Sequence, residues 1–345
     1  MSTERLTYAG AGVDVEAGEK SVALIRGSLE RTRRPEVMGG IGGFAGLFAF
    51  DPGRYRRPVL ASSTDGVGTK LAIAQALDVH DTVGIDLVAM VVDDLVVCGA
   101  EPLFLQDYIA CGTLVPERIA AIVAGVAEGC VRAGCALVGG ETAEHGNLMR
   151  PDEYDLAGTG VGVVEADELL GPDRVRAGDI LVALGSSGLH SNGYSLARQV
   201  VKVAGLSLDA YVPEFGRTLG AELLEPTRIY ARDCLALAAA AGVHAFAHIT
   251  GGGIAANLAR SLPPHLSATI DRRSWTPQPI FDLLAHHGRI DQSEMDTAFN
   301  LGIGMIAIVP PTHADAALTL LADRSVPAWH AGEITPGPGT ATLTA

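Results

Sequence analysis

Hydrophobic positions in this chain come in short uninterrupted blocks, separated by turns rich in Gly, Pro and Asp. Blocks at 58–64, 103–110, 135–139 and 156–164 are short and sharply bounded, and predict buried strands. Helical spacing appears around Gly18 to Thr32, over 81–97, and from Pro116 to about Arg132. Asp81 suits a helix cap and Pro116 a first helical turn. The polar stretch Glu165 to Asp179 reads as a domain junction. Beyond it the pattern predicts strands at 179–185, 267–271, 302–309 and 327–333. Helices are expected at 193–204, 226–241, 252–261, 279–287 and 313–323. The alternation points to an α/β (α+β) fold in three parts. These are an N-terminal segment with a Gly-rich loop (1–57), a mixed sheet–helix domain (58–168) and a C-terminal α/β domain (175–345).

The pattern is broken most sharply in DTVGIDLVAMVVDDLVV, Asp81 to Val97. The helix is apolar nearly all round, which predicts burial on most sides. Yet it carries Asp86, Asp93 and Asp94. At about 100° per residue, Asp86 and Asp93 fall within roughly 20° of each other, and Asp94 lies about 80° from Asp86. An unpaired buried carboxylate costs several kcal/mol or more, so something must compensate. A neighbouring Lys or Arg could do so, or the acids could face water. A divalent cation is the third reading, because Mg²⁺ takes one or two carboxylates together with phosphate oxygens and water.

The same chemistry is legible in TDGVGTK, Thr64 to Lys70, at the end of the first strand. Asp65 could add a metal ligand. Gly66 and Gly68 allow close backbone approach, Thr69 brings a hydroxyl and Lys70 a cation. The spacing is not that of a Walker-type loop. GGIGGFAG, Gly39 to Gly46, formally matches a dinucleotide fingerprint but lacks the preceding strand. A lid over phosphates, through Gly42 and Gly43, or a structural turn remain as its readings. GGETAEH, Gly139 to His145, reads as a loop that could place Glu141 on a second metal or on a substrate amide, or could simply cap. GSSGLHSNGYS (Gly185 to Ser195) and HITGGG (His248 to Gly253) each set a His beside a Gly-rich helix start, which suits an anion such as a sugar phosphate.

Composition narrows the partners. With 25 Lys and Arg against 40 Asp and Glu, the formal charge is −15, which disfavours nucleic acid and anionic membrane. The five cysteines form no CxxC, which fits reduced thiols in the cytoplasm. No apolar signal core or membrane-length run is present.

Together TDGVGTK, DLVAMVVDDLVVCGAEP, GGETAE, GSSGLHSNGYSL and HITGGG resemble the phosphoribosylformylglycinamidine cyclo-ligase (aminoimidazole ribonucleotide synthetase) family. AGVDVEAG, TRRPEVMGGIGGFAGL, EPTRIY and FNLGIGM extend the resemblance over nearly the whole chain. It implies a homodimer formed through the N-terminal sheet. It also implies ATP- and Mg²⁺-dependent closure of formylglycinamidine ribonucleotide in purine synthesis. Carried over by motif, Asp65, Lys70, Asp94, His190 and His248 are expected to be catalytic. Gly42, Gly43, Asp65, Gly66, Gly68, Thr69, Lys70, Asp93, Asp94 and Glu141 are expected at ATP. The metal would take Asp65, Asp94 and Glu141. Ser187, His190, Ser191, Asn192, Gly251, Gly252 and Asn300 are expected at the substrate.

The chain departs from the family pattern at Ala9, at Asp93, where many relatives have Asn, at His145 to Asn147, and at Thr297. Rival activities of related folds fit less well: no Cys precedes Cys98, as selenophosphate synthesis would need, and the chain ends in ATLTA rather than in the Cys of the hydrogenase-maturation relative. Thiamine-monophosphate kinases lack the HSNGYS and HITGGG set. An ATP sensor without turnover is the reading from a different class.

Overall fold

The computed structural model describes residues 14–40 and 42–344. The first unit runs α1 (Val15–Arg31), a small hairpin of β1 (Val37–Met38) and β2 (Leu47–Phe48), β3 (Pro58–Gly66), α2 (Leu71–Leu77), α3 (Val83–Val96), β4 (Glu101–Cys111), α4 (Pro116–Ala133), β5 (Ala136–Glu144) and β6 (Tyr154–Glu165). The second runs β7 (Ile180–Gly185), α5 (Tyr194–Val203), a hairpin of β8 (Tyr211–Val212) and β9 (Arg217–Thr218), α6 (Leu219–Leu223), α7 (Ala231–Ala240) and β10 (Ala245–His248). It continues through α8 (Gly253–Ala259), β11 (Leu266–Asp271), α9 (Pro279–Gly288), α10 (Gln292–Ala298), β12 (Ile303–Val309), α11 (Ala314–Asp323), β13 (Ala328–Pro336) and β14 (Ala341–Thr344).

The first sheet has the order β3-β6-β4-β5 and is antiparallel except for the β4/β5 pair. The second has the order β10-β12-β7-β13-β11-β14 and is antiparallel except for β11/β14. The mixed α/β architecture expected from the alternation is therefore present.

Helix α3 lies on one face of the first sheet. Small residues let it sit close: a Cβ on Gly160 of β6 would stand 2.6 Å from the Val91 side chain, and one on Gly84 of α3 would stand 2.2 Å from the Val126 backbone of α4. Every residue of α3 is buried except Asp94. The other face of the sheet stays open, with Leu60 63% and Tyr108 40% exposed. Among the described residues no helix is long and apolar enough to cross a membrane.

Two elements differ from their expected extent for local reasons. GGETAE is not a loop: β5 runs through it to Glu144, paired along β4. The helix expected from 226 begins only at Ala231, because the amides of Thr227 and Tyr230 are given to carboxylates on α3 instead.

Candidate active site at the seam between the units

The three acids of α3 divide into two kinds. Asp86 and Asp93 are 0% exposed and bolt the units together. Asp86 Oδ1 accepts hydrogen bonds from Lys70 Nζ (2.8 Å), Thr227 N (2.8 Å) and Thr227 Oγ1 (2.6 Å). Lys70 Nζ also donates to the carbonyls of Glu225 (2.6 Å) and His190 (3.1 Å). Burial pushes the ammonium's pKa down, and the Asp86 charge opposes this. Lys70, expected at ATP, faces protein groups in this structure. Its three N–H groups are spent on protein acceptors, and the plain alternative of a Lys partner for Asp86 holds. Asp93 Oδ1 accepts from Tyr230 N at 2.9 Å, and burial lifts its carboxyl to about 7. It too is sealed from any nucleotide.

Asp94 is the other kind of acid. Its side chain is 44% exposed, and its Oδ1 lies 2.9 Å from His248 Nδ1. Burial would lower the pKa of His248, but its hydrogen bond to Asp94 and the charges of Asp93, Asp94 and Asp65 outweigh it and hold the imidazole above its ordinary value. Asp65 stands at the end of β3 with Oδ1 accepting from Gly66 N at 2.7 Å. Burial raises its pKa. The Gly66 bond opposes that, and the Asp94 charge raises it further. A carboxylate whose ionisation a second one disfavours forms, with it, a place for positive charge. The turn after Asp65 is open: Gly68 has φ +70° and a Cβ there would touch nothing. Thr69 Oγ1 reaches Ser195 Oγ of the second unit at 3.2 Å.

The loop 186–193 is braced from below. His190 adopts φ +62° and is 1% exposed. Its Nε2 accepts from Ser187 N at 3.1 Å, and its Nδ1 has no partner among the described residues. Burial, followed by the charges of His248, Lys70 and Arg228, depresses its pKa well below the ordinary value. His190, expected among the catalytic residues, is held in the core in this structure and anchors the loop. Asn300, 1% exposed, is likewise not open to a substrate. Its Oδ1 accepts from Ser186 Oγ and Gly302 N, and its Nδ2 donates to the Gly188 carbonyl.

Ser187 Oγ donates to the Pro226 carbonyl, and Ser191 Oγ meets Thr227 Oγ1. Asn192 Oδ1 accepts from Gly251 N at 3.0 Å and so joins the two Gly-rich loops. Gly251 and Gly252 remain exposed.

A cavity of about 430 Å³ opens between α1, the 37–47 segment, α4 and the β4–β5 edge. Gly42, Gly43 and Glu141 line it, while Ile41 lies outside the described residues. Glu141 pairs with Tyr108 and so points to the open face of the sheet, away from Asp65. Among the described residues no three His, Cys, Asp or Glu side chains gather into a metal cluster. The expected set of Asp65, Asp94 and Glu141 is thus not preassembled.

Sequence reasoning missed Thr227 and Tyr230, whose amides answer the buried acids. It also missed Asp107, a lone acid in the apolar strand LFLQDYIAC. The alternation of β4 would have placed Asp107 inward.

The chain matches two family models, the N-terminal domain of AIR synthase related proteins over residues 51–164 and the C-terminal domain over 176–343. It is 54% identical to the phosphoribosylformylglycinamidine cyclo-ligase of Geobacillus kaustophilus (strain HTA426) over 96% of both chains. It is 51% identical to that of Anaeromyxobacter sp. (strain K) over 98% of both. Among solved structures, a thiamine-monophosphate kinase from Stenotrophomonas maltophilia K279a superposes with TM-score 0.67 at 23% identity, covering 93% of this chain and 95% of that one. The hydrogenase maturation protein HypE in complex with ATP superposes with TM-score 0.67 at 19% identity, covering 96% and 92%. These two share the fold. At the identity and coverage of its sequence relatives, the chain belongs to the phosphoribosylformylglycinamidine cyclo-ligase family.

Proposed function

We propose that the chain closes formylglycinamidine ribonucleotide to 5-aminoimidazole ribonucleotide with ATP, as a cytoplasmic enzyme of purine synthesis. Family membership supports the reaction. The observation that carries the site is the Asp94–His248 pair, which joins the one open position of α3 to the second unit beside Asp65. The formyl oxygen takes the γ-phosphoryl of ATP and ADP leaves. The ring-closing nitrogen then attacks the activated carbon and sheds a proton. The carbon–oxygen bond breaks, and that oxygen departs with phosphate.

Phosphoryl transfer needs positioning and charge neutralisation above all. Asp65 and Asp94 fit Mg²⁺, since the Asp94 charge disfavours that of Asp65 and carboxylate oxygens are hard ligands. Bound there, the ion supplies neutralisation of the transferring group. Glu141 would join from the cavity once a nucleotide bridges the gap. The Gly66–Thr69 turn borders the phosphates, and Asn192, Gly251 and Gly252 border the ribonucleotide. His248, charged through Asp94, is the acid–base group. Lys70, Asp93, His190 and Asn300 are positioning residues. The base of the nucleotide sits in the cavity under α1. Two copies pair through the open sheet face around Leu60 and Tyr108.

Phosphate release tests this. It should require formylglycinamidine ribonucleotide, ATP and Mg²⁺ together. ATP binding without any release in the full mixture would leave a nucleotide sensor instead.

A further inference from the structure

Five acids are buried among the described residues, and four of them meet a donor on another residue, although Asp86 Oδ2 and Asp93 Oδ2 have none. Asp86 and Asp93 accept from the EPTRIY segment, Asp179 accepts from Arg176 N and meets His244, and Glu222 pairs with Arg217. Asp107, 9% exposed, differs: its carboxyl takes no hydrogen bond from any other residue among the described residues, and it lines the cavity. A buried, unanswered carboxyl is costly, so a ligand that answers it gains accordingly.

The sheet is thinned to bring Asp107 to the cavity. Its register partners on both sides are glycines, Gly158 on β6 and Gly140 on β5. A Cβ on Gly140 would stand 2.2 Å from Asp107 Oδ1. Any side chain there would push the carboxyl aside and wall it off. Gly140 also lines the cavity, as do the apolar Ile119 and Val123 of α4. A buried carboxyl beside these apolar side chains suits a flat heteroaromatic ring with a polar edge.

We propose that Asp107 reads the exocyclic amino group of the nucleotide base and so makes the site selective for 6-aminopurine nucleotides. The inference rests on the cavity holding the base. The carboxyl accepts from the amine. Burial also holds its pKa up, at about 7, so near neutrality its protonated form can donate to a ring nitrogen as well. An Asn amide offers the same donor–acceptor fork, the pairing by which Asn reads adenine elsewhere.

The test compares ATP with purine riboside triphosphate, which lacks the 6-amino group, in calorimetric binding to the full chain with Mg²⁺. The wild type should favour ATP by about tenfold, the size of one good polar contact to a base. Asp107→Leu should bind the two nucleotides equally, and Asp107→Asn should keep most of the preference. Gly140→Ala is a second route, because it displaces the carboxyl while leaving it in the chain, and should also erase the preference. Equal binding of both nucleotides by the wild type, or a preference unchanged in Asp107→Leu, overturns the role of Asp107 while leaving the cavity reading intact. Hydrogen exchange separates the two: ATP should protect residues 137–142, and protection elsewhere alone overturns the cavity reading itself.

Discussion

Lys70 and Asp86 meet at 2.8 Å with neither side chain exposed to solvent, and their other partners lie in the second unit. Desolvating such a pair is expensive, and removing one member leaves the other charge stranded. Lys70→Met and Asp86→Leu should each destabilise the protein by about 3–5 kcal/mol in chemical denaturation. The double variant should cost less than the sum of the two. Additive losses would show that the two side chains do not act as a pair.

The pH dependence has a definite sign. The folded pKa of Asp107 is about 7, raised by burial from an unfolded value near 3.8. A raised folded pKa means that the folded state holds the extra proton. The stability it contributes is fully present below the unfolded value and is lost as pH rises through about 7. Between these limits the melting temperature of wild type should fall relative to that of Asp107→Asn. Parallel curves for the two proteins from pH 4 to 7.5 would contradict the assignment.

His248 is held above its ordinary pKa against the pull of burial, by the Asp94 hydrogen bond and nearby carboxylates. Asp94→Asn should move its imidazole titration downward, read by NMR of the ring. An unmoved titration would mean that the 2.9 Å contact carries no charge coupling.

The two histidines should fail differently. His248→Ala should lower kcat by about 10²-fold or more while the fold persists, as for loss of an acid–base group. His190→Ala should act first on thermal stability, because it empties a buried position and leaves the φ +62° backbone to a residue that dislikes it. A stable His190→Ala with kcat reduced as strongly as in His248→Ala would reverse the two roles.

Much of this was legible in the residues. The apolar run from Val83 to Val96 announced a sealed helix, and its acids announced that something answers them. The sequence could not say what. Asp86 and Asp93 lie about 140 residues from Thr227 and Tyr230, and such pairing leaves no local spacing. The contact of Lys70 with Asp86 was hidden for the same reason, since a Lys after a Gly-rich turn looks the same whether it faces phosphate or a carboxylate behind it. His190 and Asn300 carry motif signals that come from bracing a loop. The cavity escaped notice because its walls come from α1, α4 and β5, each of which reads alone as ordinary packing.

The central claim is that Asp65 and Asp94 hold the metal–nucleotide. Calorimetric ATP affinity, measured with and without Mg²⁺ in Asp65→Asn and Asp94→Asn, tests it most directly. These substitutions keep the shape and remove only the charge. The expected result is that Mg²⁺ strengthens ATP binding in the wild type by at least about tenfold, roughly 1.4 kcal/mol, and has no effect in either variant. Full Mg²⁺-dependent affinity in both variants would contradict the account.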